Sequence, residues 1–575
     1  MPFQLSPGVN VSEIDLTTIV PAVGTTEGAF VGNFNWGPLE EIRTISSEVE
    51  LVDTFGKPDN NNFTEFFTAA NFLAYARNLK IVRAANTATA TNASIGNGIL
   101  IKNADDYVSN YINMEAANTA GMFAAKYAGD LGNSLKVSMY ANTDYISREN
   151  WNSAQWTYAE QFNGAPNTST FAAAVGGRGD ELHLIVIDED GKFTGVANTI
   201  LEKFAYLSKA ADAVTSDGSS NYYVNVINER SKYIYIINHA QSVTSNVAEG
   251  TNWGGSAIGT TFSQSSSAYT VSLSGGTLGA VTDANRITAY DRFSNAEEVD
   301  ISLVVTGSAN LAVVQHCIDN LAEYRKDCVV FCSPTRANVV SVGITEASNN
   351  IISYRNAINR STSYAVMDGA WKYQFDKYNN VYRWVPMNGD IAGLCVRTDF
   401  ERDPWFSPAG FNRGQIKNVV KLSFNPDKSD RDELYKNGVN PIVTFRGEGT
   451  ILYGDKTMLT RPSAFDRINV RRLFIVLEKA IARAAKYSLF EFNDEFTRAQ
   501  FVALIEPYLR DVQGRRGIYD FRVVCDETNN TPEVIDRNEF IGDIYIKPAR
   551  SINFIQLNFI AVRTGVAFEE VVGKF

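Results

Sequence analysis

Asp403-Pro404-Trp405-Phe406-Ser407-Pro408-Ala409-Gly410-Phe411-Asn412-Arg413-Gly414 crowds three aromatics, two prolines and two glycines into twelve residues. No ordinary helix or central strand tolerates that composition. Each proline fixes its own φ and biases the preceding residue toward extended conformations, while glycine reaches backbone angles that other residues avoid. The stretch predicts a rigid loop stapled by aromatic rings, with Pro404, Trp405, Pro408, Gly410, Arg413 and Gly414 as its skeleton.

Downstream of it, Val470, Leu473, Phe474, Leu477, Ile481, Ala484 and Ser488 recur on one helical face. They predict a helix over residues 469–490, about 33 Å long at 1.5 Å per residue. A second helix is expected over 496–512, interrupted at Pro507 and ended near Gly514 and Gly517. Strand-like runs follow at 521–525, 541–547 and 552–562, so 366–565 reads as an α+β carboxy-terminal core domain with long helices. Residues 566–575, carrying Val566, Phe568 and Val571, contain no turn and read as a linking arm.

Upstream, residues 24–85 mix short apolar runs with a helical stretch over 63–77, where Phe63, Phe66, Phe67, Ala70 and Leu73 share a face. The α/β pattern returns with a helix expected over 313–324 and a buried strand over 328–334 stopped by Pro334. Residues 24–85 plus 291–365 therefore predict a discontinuous α/β middle domain. Between them, 86–290 shifts to Asn, Thr, Ser, Ala and Gly, punctuated by alternating runs at 182–187 and 233–237, as expected of β-rich inserted domains with long loops. Ahead of everything, residues 1–23 alternate apolar Val9 and Val11 with Asn10, Ser12 and Glu13 before Ile14, without a turn that would supply a partner strand. They read as a free amino-terminal arm. The expected fold class is α+β multidomain.

A chain of 575 residues exceeds what one hydrophobic core organises, and 45% hydrophobic residues suffice for two to four domains. No basic segment followed by an apolar core opens it and no eighteen apolar residues run together, so neither a signal peptide nor a membrane span is expected. The five cysteines, an odd number in a long chain, are expected to be buried free thiols. Residues 401–575 hold 26 Lys and Arg against 24 Asp and Glu, leaving 26 against 40 in residues 1–400, a net charge of −14 there. Over 461–516 the balance is 11 basic to 7 acidic, too mixed for a nucleic-acid footprint but suited to an acidic protein partner.

The Pro404 to Gly414 loop resembles the Pro-Trp-x-x-Pro-Ala-Gly-x-x-Arg-Gly signature of contractile tail sheath proteins, the polymers around the tail tube of myophages and related injection machines. Residues 7–15, Phe30-Val31-Gly32, Gly37-Pro38, Phe55-Gly56, Asn469 to Leu473 and Cys525 to Thr531 extend the resemblance over about 1–85 and 360–575. Asn10 and Tyr453 depart from it, where an aromatic and a tryptophan are common. The resemblance implies a structural subunit, not an enzyme, that polymerises with itself as stacked hexameric rings around a tail tube protein. Baseplate and tail terminator proteins are further implied partners. Contraction would drive the tube through the host envelope. It implies residence in the virion after assembly in the bacterial host cytoplasm, with no cofactor, no metal, no direct nucleic-acid contact and no membrane contact. The arm residues Val9, Val11, Ile14, Val566, Phe568 and Val571 would make intersubunit strand contacts. Arg471, Arg472, Lys479, Arg483 and Lys486 would present exposed positive charge to the tube.

Competing readings are weaker. Gly449 to Thr457 falls one residue out of register for a phosphate-binding loop, and the extra residue, Asp455, would oppose phosphate. His183, His239 and His316 are scattered, and Cys317, Cys328 and Cys332 lack paired metal-ligand spacing. No Gly-x-Ser-x-Gly elbow supports a Ser-His-Asp site. The alternatives are the sheath of a bacterial contractile injection system and, from another class, a tail-associated polysaccharide hydrolase suggested by the polar β-rich middle.

Overall fold

The computed structural model describes residues 24–112, 120–141, 151–239, 252–265, 267–553 and 556. Both arms, with Val9, Val11, Ile14, Val566, Phe568 and Val571, lie outside the described residues, as does most of the strand expected over 552–562.

The organising element is a seven-stranded sheet. Its spatial order is Val439–Asn440, Ala365–Asp368, Val329–Cys332, Leu303–Val305, Gly28–Gly32, Leu79–Arg83 and Ile42–Ile45. The first six strands run parallel and only the last is antiparallel. A parallel sheet must be covered on both faces, and strand alternation sorts its apolar side chains accordingly. Phe30, Ile81, Val305, Phe331 and Val366 enter one core with helices α1 (Phe63–Leu73) and α2 (Asn388–Glu401). Ala29, Val31, Val82, Val304, Val330 and Met367 enter the other, closed by Asp283–Tyr290, Leu311–His316 and Ile344–Ile358.

The helical expectations hold with local differences. Helix α1 ends at Leu73 instead of reaching Arg77. The run over 313–324 begins as Leu311–His316 and widens to a π-helical segment, Cys317–Ala322. The sheet also takes strands from Ala365–Asp368 and Val439–Asn440, beyond the boundary expected at residue 365, because parallel pairing is indifferent to sequence distance.

Residues between the two halves of this sheet build separate antiparallel layers. Four strands pair in the order Thr199–Ser208, Glu181–Asp188, Leu135–Tyr140 and Tyr269–Ser272, and Phe123–Ala125 pairs with Ile234–Ile236. Trp36 and Arg83 are among the side chains that fasten these layers to the parallel sheet. Trp36 packs edge-on against Tyr127 and Phe193 at 5.3 and 5.1 Å. Fully buried Arg83 donates to the carbonyls of Phe34, Gly37 and Ala128, each at 2.7 Å. Burial draws the Arg83 pKa down to about 9, and the three carbonyls receive its charge. All five cysteines are buried free thiols.

The described chain divides into a larger unit, residues 22–404 and 408–480, and a smaller one built from 405–407 and 481 onward. The division falls within helix α3 (Ile468–Ala485). The smaller unit also holds α4 (Glu495–Gly514) and a two-stranded antiparallel sheet, Ile518–Val524 with Asp543–Pro548. Helix α4 is continuous through Pro507, which sequence alone marks as an interruption. Pro507 is exposed, so solvent reaches the carbonyl whose hydrogen bond the ring removes.

Candidate assembly surfaces

The loop after Pro404 is as constrained as its composition demands. Within the smaller unit, Trp405 is buried, its indole N–H donates to the Arg515 carbonyl at 3.1 Å, and the Arg515 guanidinium lies 5.2 Å from the ring centroid. A Cβ on Gly517 would come within 3.1 Å of the indole, so the glycine that ends the α4 region also admits the tryptophan. Within the larger unit, Pro408 and Gly414 are buried and Pro404 and Arg413 half-buried. Gly410 sits at φ +92°, and its N–H donates to the Leu452 carbonyl at 3.0 Å. The Gly414 N–H closes onto the Gly410 carbonyl at 2.7 Å, and its own carbonyl accepts from Leu452 N–H at 2.8 Å. A Cβ at Gly414 would fall 2.8 Å from Gly410 N and O and 2.9 Å from Leu452 O, all backbone atoms with little room to yield. Gly414→Ala should therefore lower stability by about 1–3 kcal/mol, the usual cost of forced overpacking, measurable by urea unfolding.

Three of the five cations expected on an exposed surface are not there. Arg472 is buried and paired bidentately with Asp399 at 2.5 and 2.7 Å. Arg471 is buried between the rings of Tyr364 and Phe465, each 4.2 Å from its guanidinium carbon. The Lys479 ammonium reaches Asp300 at 2.8 Å and the Ile301 carbonyl at 2.8 Å. The expectation of exposed charge at Arg471, Arg472 and Lys479 is thus corrected: these side chains clamp α3 to its own subunit. Sequence could not show it, because Asp399 and Asp300 lie 73 and 179 residues away. Arg483 and Lys486, farther along, are exposed.

The corner between α3 and α4 holds side chains that sequence reading passed over. Tyr487, Leu489, Phe490, Phe492 and Phe496 are all largely exposed, and Phe490 occupies φ +69°. A bulky residue in the left-handed region is strained, and strain of this kind concentrates at functional surfaces. Their signal was present as aromatic spacing in Lys486-Tyr487-Ser488-Leu489-Phe490-Glu491-Phe492. Nearby in sequence, the sheet of Ile518–Val524 and Asp543–Pro548 has two strands among the described residues, and Tyr519 and Tyr545 stand exposed. Two strands alone are marginal in water.

The phage tail sheath protein central domain matches residues 279–458, the phage tail sheath C-terminal domain 460–561, and the N-terminal region of tail sheath protein Gp18 domain III 28–84. The tail sheath protein of Vibrio phage KVP40 is 36% identical, with 99% of this chain and 100% of that protein covered. The chain belongs to the phage tail sheath protein family. The tail sheath protein of Enterobacteria phage T4 is 34% identical over 99% of both chains, and that of Salmonella phage ViI is 31% identical. The crystal structure of a sheath tail protein from Listeria innocua shares the fold, with a TM-score of 0.52, 12% identity, and 92% of this chain and 96% of that one covered. Sheath proteins are structural components of the virion, not enzymes.

In this sheath protein the near-miss motifs have structural work. The Lys456 ammonium donates to the Tyr435 carbonyl at 2.8 Å, and Asp455 is buried beside Tyr435 and Arg467. His183 is buried, stacks on Phe162 at 4.3 Å, and accepts from Tyr206 N–H through Nδ1 at 3.0 Å. Burial lowers its pKa to about 4, so it stays neutral. Among the described residues no cluster of His, Cys, Asp or Glu could hold a metal ion, and no helix is long and apolar enough to cross a membrane.

Proposed function

We propose that this chain polymerises as stacked hexameric rings around a tail tube and that contraction of the polymer drives the tube through the host envelope. The observation that carries the reading is similarity to phage tail sheath proteins from end to end, across 99% of this chain and 100% of the Vibrio phage relative. In this reading residues 1–23 and 566–575 are linking arms, 24–85 with 291–365 the middle domain, 86–290 the outer insertion, and 366–565 the core. Val9, Val11 and Ile14 in one arm, with Val566, Phe568 and Val571 in the other, add strands to the edges of a neighbour's Ile518–Val524 and Asp543–Pro548 sheet. Strand addition joins backbone hydrogen bonds to alternating side-chain pockets, which suits a link that must survive contraction. Head-to-tail contacts of this sort propagate without closing, as a tube requires. Assembly traps a metastable extended state, so contraction needs no nucleotide. Baseplate and tail terminator proteins bound the polymer, which forms in the host cytoplasm.

The tube contact falls to the exposed end of α3 and the corner after it, where Arg483 and Lys486 precede the exposed aromatic run. Surface ion pairs are individually weak and salt-screened, which lets the tube slip on contraction. Sedimentation of the full chain with and without tube protein tests the reading. Polymer far larger than a single ring is expected, and a monomer at every concentration would count against it. Arg483→Glu with Lys486→Glu should reduce tube-templated assembly severalfold at low salt while leaving self-association intact. Unchanged templating would remove these two residues from the tube contact.

A further inference from the structure

From Lys372 onward the strand Trp371–Asp376 is inverted, while Trp371 itself is buried. Alternation puts Lys372, Gln374 and Asp376 inward, all buried, and turns Tyr373 and Phe375 outward. Each of these buried polar side chains has a hydrogen-bond partner. Lys372 donates to Asp390 at 2.9 Å and to the Lys417 carbonyl at 3.0 Å. Gln374 accepts from Asn71 at 3.0 Å, and Asp376 accepts from Arg383 at 3.1 Å and Asn379 at 2.8 Å. On the outer face the antiparallel neighbour Val381–Pro386 sets Trp384 opposite Tyr373 and Tyr382 opposite Phe375. Tyr373 stacks on Tyr382 at 5.4 Å, and Phe375 packs against Tyr382 at 5.2 Å. Phe375 is 46% and Tyr382 51% exposed. A half-buried strand ordinarily faces its apolar side to the core, and a contiguous exposed apolar patch marks an interaction surface.

A lysine lies over this face. The Lys421 ammonium lies 4.9 Å from the Tyr373 ring and 5.6 Å from Trp384. Lys377 is more than half exposed and pairs with Glu48 at 3.2 Å. An aromatic centre with the Lys421 cation over its rings takes an acidic protein surface, since aromatics dominate the buried centre of interfaces and rim charges select the partner. Residues 1–400 of this same chain carry a net charge of −14.

We propose that the outer face of the sheet formed by Trp371–Asp376, Val381–Pro386 and Lys421–Leu422 docks onto an acidic surface of a second copy of this chain. The proposal rests on the polymer reading and adds to the arms a second, side-chain-mediated contact between subunits. Tyr382 and Phe375 are its central anchors.

The test uses the full-length chain with a photo-crosslinking phenylalanine analogue in place of Tyr382, or of exposed Val196 as a control, irradiated after assembly. Chain-to-chain crosslinks from position 382 into an acidic segment, absent at 196, are expected. In parallel, Phe375→Glu with Tyr382→Glu should raise the concentration needed for assembly by about tenfold or more, as loss of central aromatic anchors does. Thermal unfolding of the soluble variant should stay unchanged; if it does not, the crosslink alone decides. Polymers that give no crosslink at 382, or a crosslink only to tube protein, would overturn the docking face and leave the polymer reading standing. So would a folded double variant that assembles at the native concentration. Failure of the unmodified chain to polymerise would instead overturn the polymer reading, and the docking face with it.

Discussion

Removal of residues 1–20 should leave a folded chain that forms no ordered tubes. The described fold of the larger unit begins without them: Ser302 Oγ donates to the Gly24 carbonyl at 3.4 Å, Thr25 Oγ1 donates to Asp399 at 2.6 Å, and the first sheet strand starts at Gly28. Every residue of that strand is buried, so its pairing with Leu79–Arg83 and Leu303–Val305 is internal to the subunit. The deleted segment carries Val9 and Val11 in strand alternation without a turn. Its loss should cost the strand-addition link and little else. Electron microscopy would read the tube yield, expected to fall by more than about tenfold, and circular dichroism the retained fold. Normal tubes from the truncated chain would eliminate the arm as a connector.

Arg472→Ala should destabilise the soluble chain by about 3–5 kcal/mol, the usual result of stripping one partner from a buried ion pair. Among the described residues the Asp399 carboxylate would be left with Thr25 as its remaining close donor, in a site where the paired side chains are only 4% and 5% exposed. Arg472→Lys should recover only part of the loss, since an ammonium cannot reproduce the two-pronged geometry at 2.5 and 2.7 Å. Replacing both partners by apolar residues of similar size, Arg472→Met with Asp399→Leu, should recover most of it. Chemical unfolding of the single and double variants measures the coupling. A loss below about 1 kcal/mol for Arg472→Ala would place the pair in the class of exposed salt bridges and contradict its burial.

Periodicity made the long elements legible. The apolar stripe from Val470 to Ala484 predicted helix α3 within a few residues, and the run Val329–Cys332 was evident as a buried strand. The proline and glycine loop was legible because backbone restriction is a local property: Gly410 needs its positive φ and Gly414 its missing Cβ whatever the rest of the chain does. Side-chain direction was less legible. Arg471 and Arg472 adjoin the apolar stripe, and their partners decide that they turn inward: Phe465 close by, but Tyr364 and Asp399 far away in the chain. Alternation over Trp371–Asp376 reads as an aromatic face and a polar face, and without Asp390 and Asn71 nothing indicates that the polar face is the buried one. The edge strand Val439–Asn440 is too short to carry a periodic signal, which is why the sheet extends past the boundary drawn from sequence.

The most direct measurement is helical reconstruction of whatever the purified full-length chain forms with tail tube protein. Stacked six-fold rings around an axial bore are expected, with strands from neighbouring subunits added to Ile518–Val524 and Asp543–Pro548. Discrete monomers, or a polymer whose two-stranded sheets remain unaccompanied, would contradict it.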